Sequence, residues 1–154
     1  MRKLSTIVSL SALAAFAMCS SAQAHDTKVG VRAGYYTKIK EPFVGVELLT
    51  RVANRVYFNP NLEYVFVDGA KYFTVNGDFH YDFPTGGNDL YVWLGAGLGW
   101  SSFNPEGPDN SDNDLVANLL GGIGFNAGQV IPYVQAKVII KDDTEFSVAV
   151  GLRF

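Results

Sequence analysis

The sequence predicts an all-β chain, an eight-stranded antiparallel up-and-down transmembrane β-barrel. Three observations predict it. Period-two alternation runs through the chain after residue 24 in eight separate segments. Nearly all mid-segment charges lie on the face opposite the large apolar side chains. No window after residue 24 has the continuous apolar run of a spanning helix, so a membrane crossing falls to strands.

Residues 1–24 read as an export signal and not as part of the fold. Arg2 and Lys3 give a positive start, Leu4 to Met18 is uncharged, and Ala22-Gln23-Ala24 is a small-x-small cleavage site. The run falls short of the ~20 apolar residues of a spanning helix. Cys19 allows a lipoprotein reading, but Met18 is a poor residue before a lipidated cysteine, so cleavage after Ala24 is preferred. The expected organisation is a cleaved signal peptide, 1–24, and one barrel domain, 25–154. Cleavage removes the only cysteine, which excludes a disulfide-stapled scaffold. Taking Arg2 and Lys3 from the 12 basic residues leaves ten against 15 acidic ones, a net charge of −5. No basic cluster appears, so no nucleic-acid partner is expected.

Taken in order, the first segment sets Val29, Val31, Ala33 and Tyr35 against Gly30, Arg32, Gly34 and Tyr36. The second sets Val44, Val46 and Leu48 against Gly45, Glu47 and Leu49. In the third, Phe58, Leu62, Tyr64 and Phe66 oppose Asn59, Asn61, Glu63 and Val65. The fourth, Tyr72 to Phe83, alternates without a break, with Thr74, Asn76, Asp78, His80 and Asp82 on its polar face. In the fifth, Leu90 to Leu98 oppose Tyr91, Trp93, Gly95, Gly97 and Gly99. The sixth runs from Leu115 to Asn126, and the seventh opposes Val134, Ala136 and Val138 to Tyr133, Gln135 and Lys137. The last segment is clearest: Phe146, Val148, Val150, Leu152 and Phe154 oppose Ser147, Ala149, Gly151 and Arg153. Each approaches the ~9–11 residues a tilted strand needs to cross a bilayer, and an even number suits a single-chain barrel.

The connections fall into two groups. Val52 to Arg55, Pro84 to Asp89 and Ala127 to Gln129 are short and read as periplasmic turns. Thr37 to Pro42, Val67 to Lys71, Lys141 to Thr144 and the longest, Phe103 to Asn113, belong to the outer side. Pro60 conflicts with a closed ladder, because proline donates no hydrogen bond; a bulge or a late start of strand three is expected there.

A bilayer leaves no water for backbone groups, so strands in it must close, with the apolar face to lipid and polar groups in the lumen. The expected luminal charges are Arg32, Glu47, Glu63, Asp78, Asp82, Lys137 and Arg153, with His80 among them. Both signs occur, so pairing across the lumen is expected. A soluble lipocalin-like barrel requires the reverse pattern. Aromatics collect near both strand ends, as interfacial girdles do: Tyr35, Tyr64, Phe66, Phe73, Trp100 and Phe146 at one, Phe58, Tyr81, Phe83, Phe125 and Phe154 at the other.

Three stretches carry a resemblance: Phe146-Ser-Val-Ala-Val-Gly-Leu-Arg-Phe154, Tyr91-Val-Trp-Leu-Gly-Ala-Gly-Leu-Gly99 and Pro132-Tyr-Val-Gln-Ala-Lys137. With them the chain resembles the small outer-membrane β-barrel family of OmpA- and OmpX-type barrels, over its whole length after residue 24. The resemblance implies location in the outer membrane of a Gram-negative bacterium. It also implies outer-membrane lipid, periplasmic chaperones and the barrel-assembly machinery as partners, and a monomer. Phe146, Val148, Val150, Leu152 and Phe154 resemble the C-terminal signal that this machinery reads. Many functions share the scaffold, and the loops are shorter than those of adhesin members.

No catalytic constellation, cofactor site or metal site is expected. His80, Asp78 and Asp82 point the same way, ~6.6 Å apart along one strand; a luminal hydrogen-bond network accounts for them, and a metal would need three or four ligands. Ser101, Ser102, Ser111 and Ser147 lie far from His80 in sequence, and no G-x-S-x-G elbow is present. Glu106, Asp109, Asp112 and Asp114 read as a solvated acidic loop and not as a calcium loop. Gly95, Gly97 and Gly99 are expected to face Gly122 and Gly124 and to make room for Tyr36 or Lys137. The expected function is a non-enzymatic outer-membrane barrel with a side-chain-filled lumen and a structural or surface role. The alternatives are a narrow porin-like channel, a lipid-modifying enzyme and a soluble ligand-binding barrel.

Overall fold

A computed structural model describes residues 27–87, 89–105 and 112–154. The expected signal segment, His25, Glu106, Asp109 and Ser111 lie outside the described residues. Alternation becomes eight strands: β1 (Thr27–Tyr36), β2 (Glu41–Ala53), β3 (Val56–Val67), β4 (Ala70–Phe83), β5 (Leu90–Pro105), β6 (Asp112–Phe125), β7 (Ile131–Ile140) and β8 (Glu145–Arg153). Each pairs antiparallel with its chain neighbour, and β1 pairs with β8, so the sheet is a closed barrel. Closure leaves no free edge.

The barrel is inverted relative to a soluble protein. Leu94, Leu98 and Leu115 are 60–75% exposed on the outside, while Glu63 and Asp78 inside are at most 1% exposed. In β8, Phe146, Val148, Val150 and Leu152 point out, and Glu145, Ser147, Ala149 and Arg153 point in. Aromatic pairs sit near both ends of the wall: Tyr64 with Phe66 and Phe73 with Trp100 at one, Tyr81 with Phe83 at the other.

The strands run past the alternating segments. β2 reaches back to Glu41 and on to Ala53, and β3 starts at Val56, leaving only Asn54 and Arg55 for the turn. Arg55 takes a left-handed φ of 61°, and Gly69 does the same at 68° in the equally tight β3–β4 turn. The expected Phe103 to Asn113 loop is largely strand at its margins: β5 continues to Pro105, Phe103 faces Asp112 and Ser102 faces Asn113. Pairing on the other side with β4, Ala70 to Pro105 and Tyr72 to Phe103, overrides the turn propensity of Asn, Ser and Pro.

Pro60 marks neither a bulge nor a strand start. It lies inside β3 opposite Gly77 of β4. Towards β2 the register is the same on both sides of it, Glu47 with Asn61 and Thr50 with Phe58. The rungs between those two are missing, as an absent N–H at residue 60 requires. The Asn59 side-chain amide fills the gap, donating to the Leu48 carbonyl at 2.7 Å and to Glu47 at 3.0 Å. The register shift of this pair lies instead between Arg51 and Ala53.

The lumen is filled in layers. Near the 37–40 and 141–144 connections, Tyr36, Phe43, Val65, Val116, Ile139 and Ala149 form an apolar plug. Nearer Thr27 and Phe154, Trp93, Leu120 and Tyr133 form a second one. Polar and charged side chains occupy the space between and around them.

Candidate functional site: the luminal charge cluster

Each strand alternates, so one parity of every strand must fill a narrow lumen. Three carboxylates organise it. Glu63 of β3 accepts from Tyr36 Oη at 2.5 Å, Thr74 Oγ1 at 3.2 Å and Lys137 Nζ at 3.3 Å, and it pairs with Arg32. Glu47 of β2 accepts from Arg153 Nε at 2.8 Å and lies 3.6 Å from Arg32 Nη1. Asp78 of β4 accepts from Asn61 and Asn118, each at 2.9 Å, with Lys137 Nζ at 3.5 Å. Arg32, Lys137 and Arg153 against Glu47, Glu63 and Asp78 make an electrically balanced set, all of it buried. Balance matters because an unpaired ion in a medium this dry costs several kcal/mol.

Arg153 is held on its faces as well as its edge. Its guanidinium carbon lies 4.2 Å from the Tyr133 ring centre and 4.8 Å from that of Trp93. Trp93 Nε1 donates to Gln135 Oε1 at 3.3 Å.

His80, Asp78 and Asp82 do not act together. His80 Nδ1 lies 3.1 Å from Asp82 Oδ1, and its ring stacks on Tyr57 and tilts against Trp93. Asp78 turns away to the asparagines. Asp82 is partly exposed at the barrel mouth, so it stands outside the buried cluster. Among the described residues, no three His, Cys, Asp or Glu side chains gather as a metal site. Ser147 pairs with Tyr36 and Lys137, whereas His80 pairs with Tyr57 and Gly95, so the two lie towards opposite ends of the barrel.

The strand glycines act differently from expectation. Gly97 faces Asn118 and Gly99 faces Val116 across β5–β6, while Gly122 faces Trp93 and Gly124 faces Tyr91. A Cβ at Gly97 would strike Asp78, and one at Gly99 would strike Asn76. The room goes to the neighbouring carboxylate and amide of β4, not to Tyr36 or Lys137.

Asn59, Asn61, Asn76 and Asn118 were not singled out by charge, yet they link the ions. Asn76 donates to Asn61, and Asn118 donates to both Asn76 and Asp78. Their inward parity, shared with Glu63 and Asp78, was the available signal. Glu145 is the other omission: its carboxylate accepts from the backbone N–H groups of Lys38, Ile39 and Phe146 at 2.7, 3.1 and 2.9 Å, tying the 37–40 turn to β8. Beside it, the Lys38 ammonium bonds Asp143 at 2.9 Å and holds that carboxyl below its usual range. That pair's contribution is present above the ordinary carboxylate pKa and is lost as pH falls through the lowered one. It is small because Asp143 is open to solvent.

No protein-family model and no curated protein matches the sequence. Solved structures do match. The N-terminal β-barrel domain of Pseudomonas aeruginosa OprF superposes with a TM-score of 0.63 at 16% identity, covering 82% of this chain and 97% of that one. Neisserial surface protein A superposes at 0.65 with 15% identity, over 82% and 95%. The fold is that of the small outer-membrane barrels. These barrels do not share one role: PagL, described as an outer membrane enzyme, matches with a TM-score of 0.55 at 15% identity over 82% of this chain and 98% of its own. At such identities the likeness is one of fold, and this chain's chemistry rests on its own lumen.

Proposed function

We propose that this chain is a non-enzymatic outer-membrane β-barrel protein of a Gram-negative bacterium, closed to solutes by its own side chains, with a structural or surface role. The filled lumen carries this reading. Balanced ion pairs in the middle and apolar side chains towards both ends occupy the space a channel would need. The outward apolar wall suits outer-membrane lipid as the surrounding partner. The export signal at 1–24 suits passage to the periplasm, where chaperones would hold the unfolded chain. Phe146, Val148, Val150, Leu152 and Phe154, all more than 40% exposed on one face, suit an assembly signal. The protein works as a monomer in this reading.

The test is a planar-bilayer recording of the refolded full chain. Absence of discrete steps is expected; reproducible unitary conductance would overturn the filled-lumen reading in favour of a narrow channel. A lipid-modifying role is tested in parallel: overproduction should leave lipid A unchanged, and a change that vanishes in His80→Ala would replace the non-enzymatic reading.

A further inference from the structure

Seven of the eight strand pairs are hairpins or joined by short connections, which set their register. The β1–β8 seam is not, since its two strands are far apart in sequence. Alternation forbids a slip by one residue, because that would turn every apolar side chain inward. A slip by two keeps every side chain on its proper face, so patterning alone does not reject it. Yet strand stagger must be single-valued for one barrel shape.

Glu47, Gly30 and Arg153 lie in one row across β2, β1 and β8. Gly30 leaves the space above the middle strand empty, and the Glu47 side chain fills it: a Cβ at Gly30 would meet Glu47 Oε1 at 2.7 Å. Through that gap Glu47 reaches over β1 to Arg153 at 2.8 Å. The residues that share Gly30's parity on either side of it are both cationic, half-buried Lys28 and buried Arg32. A two-residue slip in one direction sets Arg153 opposite Arg32, and in the other opposite Lys28. Like charges directly opposite in a ladder are repulsive, more so away from water.

We infer that the row Glu47–Gly30–Arg153, flanked by Lys28 and Arg32, is a register lock that sets the stagger of the barrel seam. Glu47 attracts Arg153 in one position, and a cation rejects it in each neighbouring allowed position. The carboxylates Glu47 and Glu63 belong to the first three strands, while their cations Arg153 and Lys137 arrive with the last two, so pairing completes only as the seam closes in register.

The test is disulfide trapping across the seam in a Cys19→Ser background. In the native register Ala33 faces Val150. The two slipped registers set Ala33 opposite Val148 or Leu152. Facing Cβ atoms lie ~4.5–5.5 Å apart and the next same-face neighbours ~7–8 Å, so oxidation discriminates among the cysteine pairs 33/150, 33/148 and 33/152. The otherwise unchanged chain should oxidise at 33/150 alone. With Arg153→Met, the slipped pairs should rise about tenfold or more relative to 33/150. Arg153→Lys should restore the native pair. A folded Arg153→Met barrel that oxidises only at 33/150 overturns the lock. If Arg153→Met yields no folded barrel, the same trapping is run on Glu47→Gln, which removes the attracting charge and keeps the side chain's size. A rise in slipped pairs supports the lock, and an unchanged distribution overturns it.

Discussion

Replacing Glu63 by alanine is expected to lower stability by about 3–5 kcal/mol, the cost of leaving buried cations without their carboxylate. Glu63 pairs with Arg32 and Lys137, both buried. Its removal leaves Glu47 to serve two arginines and Asp78 to hold Lys137 alone. Urea unfolding in detergent micelles, followed by tryptophan fluorescence, measures the change. The companion variant Glu63→Met with Lys137→Met removes one charge of each sign. It should recover most of the loss, because apolar side chains of similar volume replace a buried pair at little net cost. A Glu63→Ala barrel as stable as the parent would mean that water, and not the carboxylate, satisfies those cations.

The second large effect is expected at Asn59. Replacing it by alanine leaves the Leu48 carbonyl without its side-chain donor in a wall that also faces lipid, which costs about 1–3 kcal/mol for an ordinary buried carbonyl. A hydrocarbon setting raises that penalty. Pro60→Val should rescue Asn59→Ala, because a backbone N–H returns to residue 60 and can bond Leu48 directly. The bond from Asn59 to Glu47 is not rescued, so recovery should be partial. Additive effects of the two substitutions in a double-mutant cycle would show that the amide does not stand in for the missing rung.

These two sites differ in how far the sequence reveals them. The inward parity of Glu63 is written in its alternation with Leu62 and Tyr64, and parity alone places a charge in the lumen. Its partners are another matter. Arg32 is two strands away, and Lys137 is four strands away round the closed side of the barrel, so their meeting depends on stagger and closure. The neutral residues were hidden for a related reason. An inward asparagine has the same parity as an inward glutamate, but its role as a linker appears only when Asn61 and Asn118 converge on Asp78 and Asn76 bridges to Asn61.

Pro60 shows the limit of a single-residue rule. Proline removes one donor, and the expected remedies change the backbone. Here the remedy is the adjacent side chain, so the strand passes straight through. Strand ends escape the alternation pattern for a further reason: Asn104 and Asp112 are weak strand formers by composition, but pairing with already ordered neighbours extends β5 and β6 beyond the alternating region. The Gly95, Gly97 and Gly99 series was recognisable as space-making, whereas the side chains that use the space followed from the β4–β5 register.

In the proposed reading the apolar wall faces lipid and the charged face is shut inside. The most direct test is electrophoretic mobility with and without boiling, on cell fractions separated into periplasm, inner membrane and outer membrane. A closed barrel in lipid resists SDS until heated. Protein in the outer-membrane fraction whose unboiled and boiled forms migrate differently is the expected result. Protein in the soluble periplasm with a single mobility would contradict it, and would turn the wall of Leu94, Leu98 and Leu115 into a surface needing another cover.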